Sequence, residues 1–351
     1  MKAARLHGAH DIRVDTVSDP GVVGPGDVLI RVGAVGICGS DLHMYVDGRI
    51  GDTKFDSPLI LGHEFMGEIL AVGDGAVGGH HQPLSVGQRV AVDPATPCMR
   101  CEVCEMGHPN LCPNHTFYGV YPTHGALCEC MIVHGHNCFP IPDSISDGAG
   151  TLLETLGVAI HAVDLGHLRV ADSVAVIGCG PVGLLILRLA KLAGSTPVYA
   201  FDKLPWRIEK ARESGATAWN VDEVDPVAVL HEATGGRGVD VVFEAAWADH
   251  SVQMAADMAR VGGRLVLVGI PGDDQLHMRH GTARRKGLSI IMARRMKHTY
   301  PRAIKLATSS AIELDDLVSH HVTLDDVPRA FEMNSRYEDN VLKIIVDIAP
   351  A

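Results

Sequence analysis

Apolar residues recur along this chain in two rhythms, and the change between them near Thr151 is the first structural signal. Before it, short β-branched runs such as Val28-Leu29-Ile30-Arg31-Val32 and Arg89-Val90-Ala91-Val92 are separated by stretches rich in Gly and Pro. That pattern predicts antiparallel strands joined by long loops. After it, helical stretches alternate with strands of the fully buried type: Ser173-Val174-Ala175-Val176-Ile177, Pro197-Val198-Tyr199-Ala200-Phe201, Val239-Asp240-Val241-Val242-Phe243 and Arg264-Leu265-Val266-Leu267-Val268. Such alternation predicts βαβ units and a doubly wound parallel sheet, an α/β fold. Beyond about Ser289 the character is mixed again. The tail closes on Leu342-Lys343-Ile344-Ile345-Val346, a strand able to rejoin the first part.

Composition narrows the function. The chain has 351 residues, enough for two domains, with 46% hydrophobic and 21% charged residues. A net charge of -12 argues against nucleic acid or an anionic membrane as partner, since both reward dense Lys and Arg. A small-molecule enzyme is expected. The longest apolar run, Val174 to Leu192, is interrupted by glycines and Arg188, and Met1-Lys2-Ala3-Ala4-Arg5 is no secretory signal. A soluble, cytoplasmic protein is therefore expected.

Strand Val174 to Ile177 runs directly into Gly178-Cys179-Gly180-Pro181-Val182-Gly183, followed by a stretch of helical composition. This is a dinucleotide fingerprint in its required setting. Gly178 serves the tight turn, Gly180 lets the backbone approach a pyrophosphate, and Gly183 lets the helix pack on the strand. Pro181 and Val182 open that helix, whose N-terminus faces the phosphates. Asp202, at the end of the next strand, can accept both ribose hydroxyls and repels a 2′-phosphate, so NAD is favoured over NADP. Lys203 and Arg207 nearby partly offset that repulsion.

Four cysteines, Cys98, Cys101, Cys104 and Cys112, lie close enough in sequence for a closed tetrahedral zinc site on a lobe near residues 93–115. Disulfides are the competing use, but the nine Cys are an odd number and no signal peptide is seen. A closed thiolate site is structural, so the chemistry must lie elsewhere. Cys38 and His63, the latter followed by Glu64, are a cysteine and a histidine that together with a hydride-accepting cofactor suggest a second zinc site with an open position, although their spacing alone leaves this undecided. Cys128, Cys130, Cys138 and Cys179 have no assignable role. His80-His81, in the loop from Gly73 to Gly87, reads as a solvated loop tip.

Taken together, Cys38-Gly39-Ser40-Asp41, Gly48-Arg49-Ile50-Gly51, Gly62-His63-Glu64, the cysteine quartet, Glu154, the fingerprint, Thr299-Tyr300-Pro301 and Leu317-Val318-Ser319-His320-His321 resemble the zinc-dependent medium-chain dehydrogenases of the alcohol dehydrogenase superfamily. The sorbitol (polyol) dehydrogenase family is the best match among them. The resemblance implies a GroES-like catalytic domain over 1–156 and 291–351 and a Rossmann NAD-binding domain over 157–290. It also implies a homotetramer with two zinc ions per chain, one catalytic and one structural.

On the same resemblance, Cys38, His63 and Glu154 bind the catalytic zinc, and Glu64 is their partner or an exchangeable ligand. Ser40 and His43 relay the proton released from an alcohol, while Met44, Phe117 and Arg295 line the substrate pocket. Three departures stand out: Met44 where a Tyr is usual, no Pro after Glu154, and a longer loop from Gly73 to Gly87. The implied reaction is reversible oxidation of a secondary alcohol of a polyol to a ketone. The alternatives are an L-threonine 3-dehydrogenase-like or 2,3-butanediol dehydrogenase-like enzyme, or a non-catalytic dinucleotide-binding relative.

Overall fold

The computed structural model describes residues 1–246, 248, 250–272 and 274–348. The chain divides into two compact units, Met1–Thr155 with Tyr300–Ala351, and Leu156–Thr299.

The first unit is built around strand Asp27–Gly36. Its Val28, Ile30 and Val32 are fully buried, while Arg31 between them is exposed, the alternation of a sheet with one face in the core. This strand pairs antiparallel with Glu64–Val72, Cys130–His134 and Ile344–Asp347, so the end of the chain lies beside its beginning. Leu6, Phe65, Ile69, Phe331 and Ile344 belong to the apolar core that this sheet covers. Tyr300 helps fix the C-terminal segment: its hydroxyl donates to the Val92 carbonyl at 2.7 Å and its ring stacks on Phe139 at 4.7 Å.

The second unit holds six parallel strands among its described residues. In sequence order they run Val174–Ile177, Val198–Asp202, Thr217–Asn220, Val239–Glu244, Ala259–Leu267 and Ser289–Met292. Their spatial order is third, second, first, fourth, fifth, sixth, which creates a switch point between the first and fourth strands. Both strands are buried along their whole length, as the continuous apolar runs predict. No helix among the described residues is long and apolar enough to cross a membrane.

One buried carboxylate ties together the starts of the first and fourth strands. Asp240 Oδ1 accepts from Arg260 Nε at 2.6 Å and Arg237 Nη2 at 2.7 Å, while Oδ2 accepts from the Ser173 backbone N–H at 2.9 Å and its hydroxyl at 2.7 Å. Burial disfavours the charged form, yet Arg237, Arg260 and Ser173 hold this carboxyl well below the usual carboxylate range. A depressed folded-state pKa stabilises the protein above the ordinary carboxylate pKa and ceases to do so as pH falls. Asp240→Asn is expected to cost about 2 kcal/mol at neutral pH. Denaturant midpoints should show the gap to the parent narrowing below about pH 4, and a gap independent of pH would contradict this account.

Candidate metal and dinucleotide sites

Cys38 follows the central strand and immediately precedes helix Gly39–Asp47. Its backbone N–H donates to Asp41 Oδ2 at 3.0 Å, which closes the first turn. The other oxygen, Asp41 Oδ1, accepts from the Gly62 N–H at 3.3 Å and lies 3.4 Å from His63 Nδ1. A carboxylate on one ring nitrogen directs the other, Nε2, towards a ligand. His63 and Glu64 stand at the start of strand Glu64–Val72, both buried, and the ladder sets Glu64 opposite Gly36. A Cβ at position 36 would lie 2.4 Å from Glu64 Oε2, so glycine there makes room for the carboxylate.

The thiol of Cys38, a ring nitrogen of His63 and a carboxylate oxygen of Glu64 all lie within 4.8 Å of one another. This donor set fits zinc. Burial pushes the His63 imidazole down, but Asp41 and Cys38 outweigh it and hold its pKa well above the ordinary value.

Glu64 has a second set of partners. Its Oε2 accepts from Lys343 Nζ at 2.6 Å and its Oε1 from the Thr155 hydroxyl at 3.0 Å. Lys343 is 3% exposed and also donates to the Ile37 carbonyl at 3.2 Å. Burial lowers its pKa, but Glu64 and Cys38, with Glu154 further off, raise it above the ordinary lysine value and keep it charged. Glu154, on helix Asp147–Gly166, is buried but does not belong to the group of Cys38, His63 and Glu64.

Ser40 Oγ lies 3.2 Å from His63 Nε2, and His43, one helical turn on, is buried with Nδ1 at 3.3 Å from exposed Asp47. The Phe117 ring stands 5.4 Å from that of His63. Met44 is 1% exposed within the apolar core, and Arg295, in the second unit, has a left-handed backbone with φ of 57°.

Cys98, Cys101, Cys104 and Cys112 offer four sulfurs within 4.8 Å of one another. Cys112 Sγ is 3.5 Å from Cys98 Sγ and 3.8 Å from Cys101 Sγ. Sulfurs about 2.3 Å from a central zinc ion stand about 3.8 Å apart, so the quartet fits a tetrahedral ion. The Arg100 backbone N–H and the neighbouring thiols lower Cys98 to about 6, which favours the thiolate. Below the quartet, Thr96 pairs with Thr116 and Ala95 with Phe117, which closes the lobe at its base.

In the second unit, Gly178, Cys179 and Gly180 link strand Val174–Ile177 to helix Pro181–Leu192, whose first turn holds Pro181, Val182 and Gly183. A Cβ on Gly183 would lie 1.8 Å from the Gly178 carbonyl oxygen, so only glycine allows this approach. Asp202 Oδ2 accepts from the Cys179 N–H at 2.6 Å and Oδ1 from the Leu204 N–H at 2.9 Å. The Arg207 guanidinium approaches Gly180, while Lys203 is exposed. An open glycine turn, a helix N-terminus, a carboxylate and a guanidinium together fit a dinucleotide.

Sequence reasoning assigned no role to Asp41, Thr155 or Lys343. A signal existed for the last: Lys343 is the one charged residue in the apolar run Leu342 to Val346.

The family model of the alcohol dehydrogenase GroES-like domain matches residues 24–143, and that of the zinc-binding dehydrogenases matches residues 181–309. The chain belongs to the zinc-dependent alcohol dehydrogenase family, oxidoreductases acting on CH–OH groups. Within it, sorbitol dehydrogenase of Bacillus subtilis (strain 168) is 36% identical over 347 residues, 99% of this chain and 97% of the relative. The solved 2R,3R-butanediol dehydrogenase of Bacillus subtilis is 32% identical, with a TM-score of 0.87 over 99% of both chains. A zinc-binding dehydrogenase from Sinorhizobium meliloti 1021, solved with NADP, is 30% identical with a TM-score of 0.87 over 99% of this chain and 98% of its own.

Removing one member of a buried ion pair leaves the other charge unpaired, which costs about 3–5 kcal/mol. Lys343→Met is expected to lose stability on that scale, and Glu64→Gln in the same chain to recover part of it. Thermal unfolding of the three proteins checks this, and an unchanged midpoint for Lys343→Met would contradict the role of the pair.

Proposed function

We propose that this protein oxidises a secondary alcohol of a polyol to a ketone, reversibly, with NAD as the hydride acceptor. The observation that carries the reading is the group of half-buried Cys38 with buried His63 and Glu64, in a chain similar over its full length to a sorbitol dehydrogenase. These three residues would hold a catalytic zinc, with Glu154 as a further buried carboxylate near the same charges. Cys98, Cys101, Cys104 and Cys112 would hold a structural one, giving two ions per chain.

When bound, zinc supplies a Lewis acid that acidifies a substrate hydroxyl, and NAD accepts the hydride. Asp41 orients His63 through Nδ1. Lys343 and Thr155 hold the two oxygens of Glu64 and limit its freedom to move. Ser40 and His43 would relay the substrate proton, with exposed Asp47, 3.3 Å from His43 Nδ1, leading it to solvent. Phe117 shields His63 from water on one side. Gly180 and the N-terminus of helix Pro181–Leu192 would hold the pyrophosphate and Asp202 the ribose hydroxyls, while Arg207, whose guanidinium approaches Gly180, and Lys203 would partly offset the charge of Asp202. Asp202 supports NAD over NADP on charge grounds.

The protein is assigned to the cytoplasm, with no membrane or nucleic-acid partner. A homotetramer is what the resemblance to the polyol dehydrogenases implies, and the edge strand Ser289–Met292, whose Met292 and Ile290 are exposed, offers a surface for pairing with a second copy. The function is tested by initial rates on sorbitol, xylitol, shorter polyols, 2,3-butanediol and L-threonine, each with NAD and with NADP. The highest kcat/KM is expected for a polyol with NAD. Faster turnover of threonine or butanediol would reassign the substrate, and no nicotinamide reduction with any alcohol would remove the enzyme reading.

A further inference from the structure

Away from the two cysteine-bearing sites, four histidines from two loops converge at one edge of the first unit. His80 and His81 form a short turn after Gly79, and His134 and His136 flank a second short turn at Gly135. The turns are packed tightly together. A Cβ on Gly135 would lie 3.0 Å from the Val77 carbonyl and 3.2 Å from Ala76 Cβ, and one on Gly79 would lie 2.3 Å from the Phe139 ring. The first loop is further braced by the antiparallel bridge between Val77 and Pro83.

His80 and His81 both have left-handed backbones, with φ of 56° and 58°. Two successive side-chain-bearing residues in that region are strained, and such strain is retained where the surroundings enforce it. The result is an ordered display of imidazoles. The rings of His81 and His136 have centroids 6.3 Å apart and planes tilted by 56°. Two imidazoles sharing one ion, each through a nitrogen about 2.1 Å away, have ring centres about 4.5–5.2 Å apart at octahedral or tetrahedral angles and about 6.4 Å when the nitrogens lie opposite one another. The 6.3 Å spacing therefore closes on an ion either with the two rings nearly opposite or with an approach of about 1 Å by exposed side chains. The His136 backbone N–H donates to His134 Nδ1 at 3.2 Å, which holds the third ring next to the pair and leaves its Nε2 for another partner. His80, His81 and His134 are exposed, so small side-chain rotations suffice to close on an ion.

We propose that His81 and His136, with His134 as the third donor, bind one divalent transition-metal ion of the nickel, copper or zinc type at the surface. Imidazole donors select this class over magnesium or calcium, and the chain's net charge of -12 favours any cation. The site is distinct from the Cys38 group and the cysteine quartet. With only two or three neutral ligands at the surface, it binds in the micromolar range and releases its ion to mild chelation.

Calorimetric titration of Ni²⁺ into the untagged, zinc-loaded enzyme tests the assignment. One further ion per chain is expected beyond the tightly held zinc. His81→Gln with His136→Gln should weaken its binding by at least about tenfold, leaving zinc content and turnover unchanged. His320→Gln with His321→Gln, a histidine pair on strand His320–Thr323, should leave Ni²⁺ binding as it was. The assignment is overturned if the parent protein takes up no further Ni²⁺, if the His81 and His136 variant binds as tightly as the parent, or if the His320 and His321 variant abolishes binding.

Discussion

The contact between Glu64 and Lys343 is the interaction on which the first unit and its chemistry depend. It joins residues 279 positions apart, both almost fully buried, at 2.6 Å. Burying two charges is expensive, and the expense is offset only when geometry is good and the remaining polar atoms are paired. Here Thr155 takes the other carboxylate oxygen and the Ile37 carbonyl takes a second lysine proton. The pair forms because the ladder sets Gly36 between its two partners: Glu64 is opposite Gly36 on one side and Ile345 on the other. A glycine at that point gives the carboxylate its room.

That constraint reaches the metal donors directly. Cys38 follows the same central strand, and His63 precedes Glu64 in the chain, so the register that brings Glu64 to Lys343 also brings thiol and imidazole together. Asp41 then supplies the negative charge that orients the ring. The cysteine lobe acts one step further out. Its base pairs Ala95 with Phe117, and Phe117 is the ring that faces His63. A zinc ion held by the quartet would thereby support the wall of the other site without entering its chemistry.

How much of this was legible in the sequence depended on how local the physics is. The dinucleotide turn is contiguous, with strand, glycines and helix in one run, so the residues from Gly178 to Asp202 could be read directly, and the buried strands of the second unit announced themselves by apolar continuity. The cysteine quartet was legible because its ligands sit within 15 residues. Cys38 and His63 were only suggestive, since 25 positions separate them and a lone Cys or His has ordinary uses. Lys343 carried one local signal, a charge inside an apolar run, but nothing local names its partner, a carboxylate at the other end of the chain. Helix Gly39–Asp47 was missed because its first turn reads Gly-Ser-Asp, a loop composition, and it is fixed by the Asp41 bond to Cys38 N–H. His80-His81 read as an ordinary loop tip because its histidine neighbours lie more than fifty residues on.

The central claim is that Cys38, His63 and Glu64 hold a catalytic zinc beside a charged Lys343. Anomalous diffraction at the zinc edge, from crystals of the enzyme as purified and dialysed, tests it most directly. The account predicts two strong peaks per chain, one within the cysteine quartet and one bounded by Cys38 Sγ, His63 Nε2 and the Glu64 carboxylate. A single peak at the quartet, or a second peak remote from His63, would contradict it.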